Sequence, residues 1–358
     1  MARDQPDSRR ALGARARRRV RSVVAEVAAG DVSVIVCTYD QKRRPLLERA
    51  LEALKHQEQP PAAVIVVVDH NTELLGALRA DHPQYAVVPN DMKRGLSGAR
   101  NCGLAVAATP IVAFLDDDAV PQTDWIARLA QAYGAPGGQY ILGVGGTILP
   151  DWAQGRPSWF PAEFDWVVGC TYKGARTSPG PVRNMLGANM SLRAAELRQI
   201  GGFRDGIGRI GTVPLGCEET EACIRMAREF PGAHIWFEPT ARVHHHVPAE
   251  RASLRYLLRR CWAEGLSKAH VANLVGRSSA LADERGYVTR TLPRGVARAF
   301  GEAVWRIRAA PLARAAVIAT GLAVTAAGFV AGRWASRWRA TSADQPLRRE
   351  STDDLPKR

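Results

Sequence analysis

Nowhere in the 358 residues do two cysteines form a C-x-x-C pair, although six are present, at positions 37, 102, 170, 217, 223 and 261. Scattered thiols in a chain of this length point away from a disulfide scaffold and toward a reduced, cytosol-facing protein. The arginine-rich N-terminus has no uninterrupted apolar stretch of the signal-peptide kind, which argues against secretion. Zinc-finger spacing, an RNA-binding sheet signature and aromatic–basic interleaving are all missing, so no nucleic acid partner is expected. Internal repeats and Walker-type glycine spacing are missing too. The run "GVGG" (143–146) fails as a dinucleotide fingerprint, because Ile148 stands where the third glycine belongs. Acid is the scarcer charge: 35 Asp and Glu against 49 Lys and Arg leave a formal net charge of +14. Much of the excess lies near the ends, in "RRALGARARRRVRS" and "GRWASRWRATSADQPLRRESTDDLPKR". Such arms suit an anionic surface, and solvated ends would explain them as well.

What is present is a core. Hydrophobic residues make up 46% of the chain, enough to exclude wholesale disorder. "VSVIVCTY" (32–39), "AAVIVVVDHN" (62–71) and "PIVAFLDDD" (110–118) are apolar, β-branched runs separated by helical segments, "RRPLLERALEALKHQ" and "GARNCGLAVAA". This alternation predicts an α/β chain with a parallel sheet covered on both faces. Ligands of such sheets bind beyond the carboxyl ends of the strands, where Thr38, Tyr39, Asp69 and the aspartates 116–118 fall. Past residue 140 the pattern shifts to short apolar pieces among Gly, Pro and Trp, as expected for a mixed-sheet half built onto the first. The expected divisions are a basic arm over 1–30, a main domain over 31–275 and a basic helical tail over 276–358. Within the tail, the uncharged stretch 315–332 is just long enough for a membrane segment, and a buried or interfacial helix fits it too.

Four constellations could carry chemistry. Asp116, Asp117 and Asp118 end a strand, where like charges repel unless a cation joins them; Mg²⁺ or Mn²⁺ suits such oxygens. Helix-capping acids are the plainer alternative. "KRGLSGARNCG" (93–103) is a glycine-rich helix entry of the kind that binds anions, or an ordinary turn. "GCEETE" (216–221) opens a helix with Glu218, Glu219 and Glu221. The helix dipole alone favours acids there, yet crowding also raises one carboxyl toward the range of a general base. In "ARVHHHVPAER" (241–251), His244 and His246 share one face of an extended segment and His245 takes the other.

Taken in order along the chain, these motifs resemble the family 2 glycosyltransferases of GT-A fold, over about residues 31–275 and closest to bacterial members with membrane-associated tails. The resemblance implies a nucleotide-binding parallel sheet fused to a mixed-sheet acceptor half. It places Thr38, Tyr39 and Asp69 around the base and ribose of a nucleotide-sugar donor. Arg100 and Asn101 match the Ala-Arg-Asn element lining that pocket. Asp116 and Asp118 match the outer members of D-x-D, with Asp118 the direct metal ligand and Asp117 counted with the nucleotide-binding residues. His245, followed by Val247, matches the H-x-V histidine facing metal and diphosphate. Asn189 and Met190 of "GANMS" fall where such enzymes line the acceptor side. Glu219 stands where the family's E-D pair has its catalytic base, with Glu218 as the rival.

The implied reaction is an inverting transfer from a UDP-linked sugar to an acceptor hydroxyl or lipid phosphate, assisted by Mg²⁺ or Mn²⁺. A glycan or polyprenyl-lipid acceptor, a role in cell-envelope glycan or glycolipid synthesis, and a place on the cytoplasmic face of the plasma membrane, peripheral or single-span, complete the expectation. A sugar nucleotidyltransferase or a non-catalytic membrane-surface binding protein are the competing classes.

Overall fold

The computed structural model describes residues 27–208, 216–276, 282–306 and 309–343. Most of the basic arm expected over 1–30 lies outside the described residues, as does 344–358.

β1 (Val32–Thr38) is a strand because a β-branched run buried on both faces fits a sheet covered by helices. Pro45 sits in the first turn of α1 (Arg44–Lys55), which buries Leu47, Ala50, Leu51 and Leu54. β2 (Ala63–Val68) follows. Then comes α2 (Thr72–Asp81), whose N-cap Asn71 accepts from the Leu74 N–H at 3.0 Å. β3 (Ala86–Pro89) precedes α3 (Leu96–Val106). A Cβ on Gly103 of α3 would lie 2.5 Å from Ile35, so the glycine lets the helix press onto the sheet. β4 (Ile111–Asp116) and the short β5 (Ala119–Pro121) flank the acidic turn, and α4 (Trp125–Gly134) follows.

The second half adds β6 (Ile141–Trp152), β7 (Gly180–Val182), β8 (Asn189–Arg193) and α5 (Ala194–Gln199). It continues with α6 (Glu218–Glu229), β9 (His234–Val247) and α7 (Leu254–Val275). Last come α8 (Ala282–Gly286), a π-helical stretch (Tyr287–Thr291), α9 (Leu292–Arg306) and α10 (Ala309–Ala343).

Among the described residues one sheet runs β3-β2-β1-β4-β8-β6-β9-β5, with β7 on β9. The first four strands are parallel; β8 joins β4 antiparallel, and from there the sheet is mixed. Cys37 pairs with Asp116 and Thr38 with Val68, so three strands end at one level. "GVGG" runs up to a register shift between the parallel strands β6 and β9, where a Cβ on Gly146 would overlap the Ala241 carbonyl. All six cysteines are free, and all but Cys37 are buried.

Residues on the two sides of the expected 275/276 boundary pack together. Leu292, Val317 and Ile318 belong to the same buried cluster as Val34, Leu115 and Phe164. Segment 315–332 lies within α10, which runs against α7 backbone to backbone. A Cβ on Gly265 would overlap the Thr325 carbonyl, and one on Gly328 the Trp262 carbonyl. Small residues permit this closeness.

Candidate active site

A cleft of about 1120 Å³ opens at the carboxyl ends of β1, β2 and β4. Of the residues singled out in the sequence, Thr38, Tyr39, Asp69, Arg100, Asp116, Asp117, Asp118, Glu218, Glu219 and His245 all line it. Three expected residues do not. Asn101 grips the backbone of Phe203 on both sides, donating to its carbonyl at 2.7 Å and accepting from its N–H at 2.8 Å. Asn189 is 0% exposed; it accepts from Trp125 at 2.8 Å and donates to the Ala241 carbonyl at 2.8 Å. Met190, also 0% exposed, is core. Nearby Leu186, Gly187 and Ala188 line the cleft, whereas β8 turns its own side chains, Asn189 and Met190 among them, into the core.

At one end Asp69 accepts from Asn90 Nδ2 at 2.7 Å and from the Gly95 N–H at 3.0 Å. The glycine-rich helix entry therefore spends Gly95 on Asp69, and Gly95 adopts φ +121° to do so. Ser97 donates to the Ile207 carbonyl at 2.7 Å rather than capping its helix. Asn71 donates to the Tyr39 carbonyl at 3.1 Å, tying the ends of β1 and β2 together.

The acidic turn is answered by cations that no motif announced. Arg43 Nε meets both Asp117 oxygens at 2.9 and 3.0 Å, its Nη2 lies 2.9 Å from Asp118 Oδ2, and its guanidinium stands 5.7 Å from the centre of the Tyr39 ring. Asp118 also meets His245 Nε2 at 3.1 Å and Arg251 at 3.5 Å. Burial alone would raise the Asp118 carboxyl, but His245, Arg43 and Arg251 outweigh it and hold it well below its ordinary value. For Asp117 burial prevails over Arg43, and its carboxyl is raised. Asp116 points more openly into the cleft. Carboxylate oxygens of Asp116 and Asp118 and a ring nitrogen of His245 lie within 4.8 Å of one another. Two hard oxygens and an imidazole nitrogen at that spacing fit Mn²⁺ or Mg²⁺. His245 is buried and inward on β9, opposite in sense to exposed His244, which is the alternation of a strand.

Facing this group is the start of α6. Cys217, its N-cap, is a non-glycine residue at φ +74°, a strained position of the sort found at functional sites. The two glutamates then separate. Glu218 pairs with the buried Arg100 at 2.8 Å, and Arg100 also reaches the Gly187 carbonyl at 3.2 Å. Glu219 makes no ion pair among the described residues. Burial, then the neighbouring Glu218 charge, lift its carboxyl to about 8. Glu218 is thus fixed by an ion pair, and Glu219 is left with a raised carboxyl in the cleft.

Similarity to known proteins gives the chain its family. The model of glycosyl transferase family 2 matches residues 33–201. A glucosyl-dolichyl phosphate glucuronosyltransferase of Haloferax volcanii is 33% identical over 240 residues, 66% of this chain and 76% of that one. The chain belongs to glycosyl transferase family 2. It is thus a glycosyltransferase. Succinoglycan biosynthesis protein ExoM of Rhizobium meliloti is 29% identical over 243 residues, 65% of this chain and 72% of that one. These relatives span an archaeon and a bacterium, so the resemblance holds for the family and not for a bacterial subset. Among solved structures, a Pyrobaculum calidifontis mannosyltransferase in complex with GDP-mannose and Mn²⁺ superposes with TM-score 0.52 at 19% identity, covering 89% of this chain and 94% of that one. At that identity it speaks for the fold, which is GT-A-like.

Arg43 and Arg251 escaped the sequence reading because neither surrounding stretch, "QKRRP" or "PAER", marks a site. The only signal for Arg43 was its place shortly after the first strand end, within reach of any ligand there.

Proposed function

We propose that the chain moves a sugar from a UDP-linked donor to an acceptor hydroxyl with inversion at the anomeric carbon, in the synthesis of a cell-envelope glycan or glycolipid. The observation that carries this reading is Glu219, unpaired and raised to about 8, in the same cleft as the Asp116, Asp118 and His245 group. Tyr39 and Asp69 would receive the base and ribose, with Thr38 completing the strand end. Arg43, Arg251 and Arg100 surround the place where the diphosphate charge would lie.

In the reaction, Glu219 takes the proton of the acceptor hydroxyl as that oxygen bonds to the anomeric carbon. The carbon–oxygen bond to the diphosphate breaks on the opposite face, and nucleoside diphosphate departs with the electron pair. Arg100 holds Glu218 in place, so its neighbouring charge keeps the Glu219 carboxyl basic enough to act near neutral pH. Mn²⁺ or Mg²⁺, held by Asp116, Asp118 and His245, would supply positive charge toward the leaving diphosphate.

The site of action we infer is the cytoplasmic face of a membrane, with the protein peripheral. Val304, Trp305 and Trp334 are 77%, 89% and 70% exposed, and all three stand on the C-terminal helices. Among the described residues one helix, Ala309–Ala335, is long and apolar enough to cross a membrane, yet its glycine face is docked on α7. An in-plane helix suits both facts. Free thiols suit the reducing side.

Incubation with UDP-sugars and Mn²⁺ tests the reading. We expect UDP release that depends on metal and acceptor, and a product of inverted configuration. Preference for a sugar 1-phosphate plus nucleoside triphosphate would replace it with nucleotidyl transfer. No nucleotide-sugar binding by folded protein would leave a binding protein only.

A further inference from the structure

The cleft continues past Glu219 to a wall that the catalytic motifs do not include. Leu322, Ala326, Phe329 and Val330 of α10 line it, as do Arg290 of the π-helical stretch and Arg294 of α9. At about 1120 Å³ the cavity exceeds the roughly 300–1,000 Å³ that serves one small ligand, which leaves space for an acceptor beside the donor. The acids lining this side are already matched: Glu284 pairs with Arg183 at 2.8 Å and with Lys268 at 2.5 Å, and Glu264 pairs with Arg260 at 2.9 Å. Arg290 and Arg294, both exposed, make no ion pair or side-chain hydrogen bond among the described residues. Four positions apart, they stand near one another on the helical surface. π-helical turns are rare and recur where side chains serve a ligand.

Two unmatched guanidiniums beside an apolar helix wall are complementary to an amphiphile with an anionic head. Guanidinium forks match phosphate oxygens in particular. We propose that Arg290, Arg294 and the α10 wall form the acceptor subsite, and that it takes a saccharide joined through phosphate to a long apolar chain. The phosphate sits on the two arginines, the chain follows α10 toward Val330 and Trp334, and the sugar hydroxyl reaches Glu219. This rests on the transferase reading above. In the transfer, the hydroxyl gives its proton to Glu219, its oxygen bonds to the donor's anomeric carbon, and the diphosphate leaves with the bonding pair. The acceptor's own phosphate is unchanged.

Titration calorimetry on the full chain tests this with three probes: farnesyl phosphate, farnesol and glycerol phosphate, with UDP plus Mn²⁺ as the donor-site control. We expect farnesyl phosphate to bind, and the other two at least about 10-fold more weakly, since each lacks one half of the match. The double variant Arg290→Gln/Arg294→Gln should weaken farnesyl phosphate by about 10-fold or more and leave UDP unchanged. Ala326→Trp, which fills the wall without touching the cations, should do the same. Glycerol phosphate binding as tightly as farnesyl phosphate would overturn the lipid assignment in favour of a soluble phosphate. Farnesol binding as tightly would overturn the phosphate assignment, as would a double variant identical to wild type. Binding of UDP and Mn²⁺ without farnesyl phosphate would sink the subsite and spare the transferase reading. Binding of neither would sink both.

Discussion

At the sheet end of the cleft, Asp117 and Asp118 already hold Arg43, and Asp118 also holds His245 and Arg251. At the helical end, Arg290 and Arg294 face the cavity with no acid among the described residues to meet them. The first end hangs on strands whose termini are locked in register, Cys37 against Asp116 and Thr38 against Val68. The second hangs on helices that touch at glycines. A strand-end site with its charges already matched is suited to a ligand that brings its own counter-ion, as a metal-bound diphosphate does. A helical wall with unmatched cations waits for an anion and an apolar body. Glu219 stands between the two, and it is the one acid of the α6 start without a cation among the described residues.

The largest effect that would sharpen this contrast belongs to Glu219. Glu219→Gln should cut transfer by about 10²–10⁴-fold, the usual worth of a general base, while UDP binding with Mn²⁺ stays as in wild type. Asp118→Asn should do the reverse in binding: metal-dependent UDP uptake, read by calorimetry, should be lost. Normal UDP and Mn²⁺ binding by Asp118→Asn would remove the donor function from the sheet end.

Arg43 comes next. Removing one partner of a buried ion pair costs up to about 3–5 kcal/mol, because the charge left behind is uncompensated. Arg43→Gln should therefore lower the urea midpoint sharply. Mn²⁺ should then restore more stability to the variant than it adds to wild type, since it meets carboxylates that have lost their guanidinium. Equal gains from Mn²⁺ in both proteins would show that the metal and Arg43 do not share those oxygens.

The same contrast explains what could be read from the sequence. β1, β2 and β4 were legible because a continuous β-branched run such as "VSVIV" has few other fates, and their ends located Thr38, Asp69 and the aspartates. In the E-E pair the resemblance pointed to Glu219 as the base with Glu218 as the rival, and the 2.8 Å contact of Glu218 to Arg100 distinguishes their surroundings. α2 and β3 went unread, being short and weakly patterned. In "GANMS" the polar Asn189 reads as a ligand, and the structure shows that it satisfies the Trp125 indole and the Ala241 carbonyl inside the core, which no local pattern announces. The tail was legible as helical, with a membrane segment and a buried or interfacial helix both open, but its docking was not. Its Ala and Gly content reads as a weak membrane span, and the pairing of Gly265, Gly321, Gly328 and Gly332 with distant backbone and rings leaves no local trace.

That docking gives a smaller effect. A side chain on Gly328 would overlap the Trp262 carbonyl, so Gly328→Val should cost about 1–3 kcal/mol by overpacking. Because the shift is confined to α10, acceptor KM should rise while the UDP affinity is unchanged. Loss of both in equal measure would mean that the two ends of the cleft are one mechanical unit.

The smallest effect is a slope in pH, and Glu219 sets its sign. Its carboxyl is lifted from 4.5 to about 8 in the fold, by burial first and the Glu218 charge second. Between those values the unfolded chain has released the proton and the folded chain retains it. The folded state therefore binds more protons, and this group's contribution to stability falls as pH rises from about 4.5 to about 8. Activity should climb over the upper part of that range, since only the ionised carboxylate accepts the acceptor's proton. Glu219→Gln should remove this part of the pH dependence of stability, leaving the variant's thermal midpoint above that of wild type at pH 8 and close to it at pH 5. A wild-type enzyme whose activity is flat from pH 6 to 9, with stability equally flat, would show that Glu219 is already ionised across that range and that its carboxyl is not raised. A protonated carboxyl that weakens the fold when it ionises is tolerable here because the strained turn at Cys217 and the Arg100–Glu218 pair fix its position in either state.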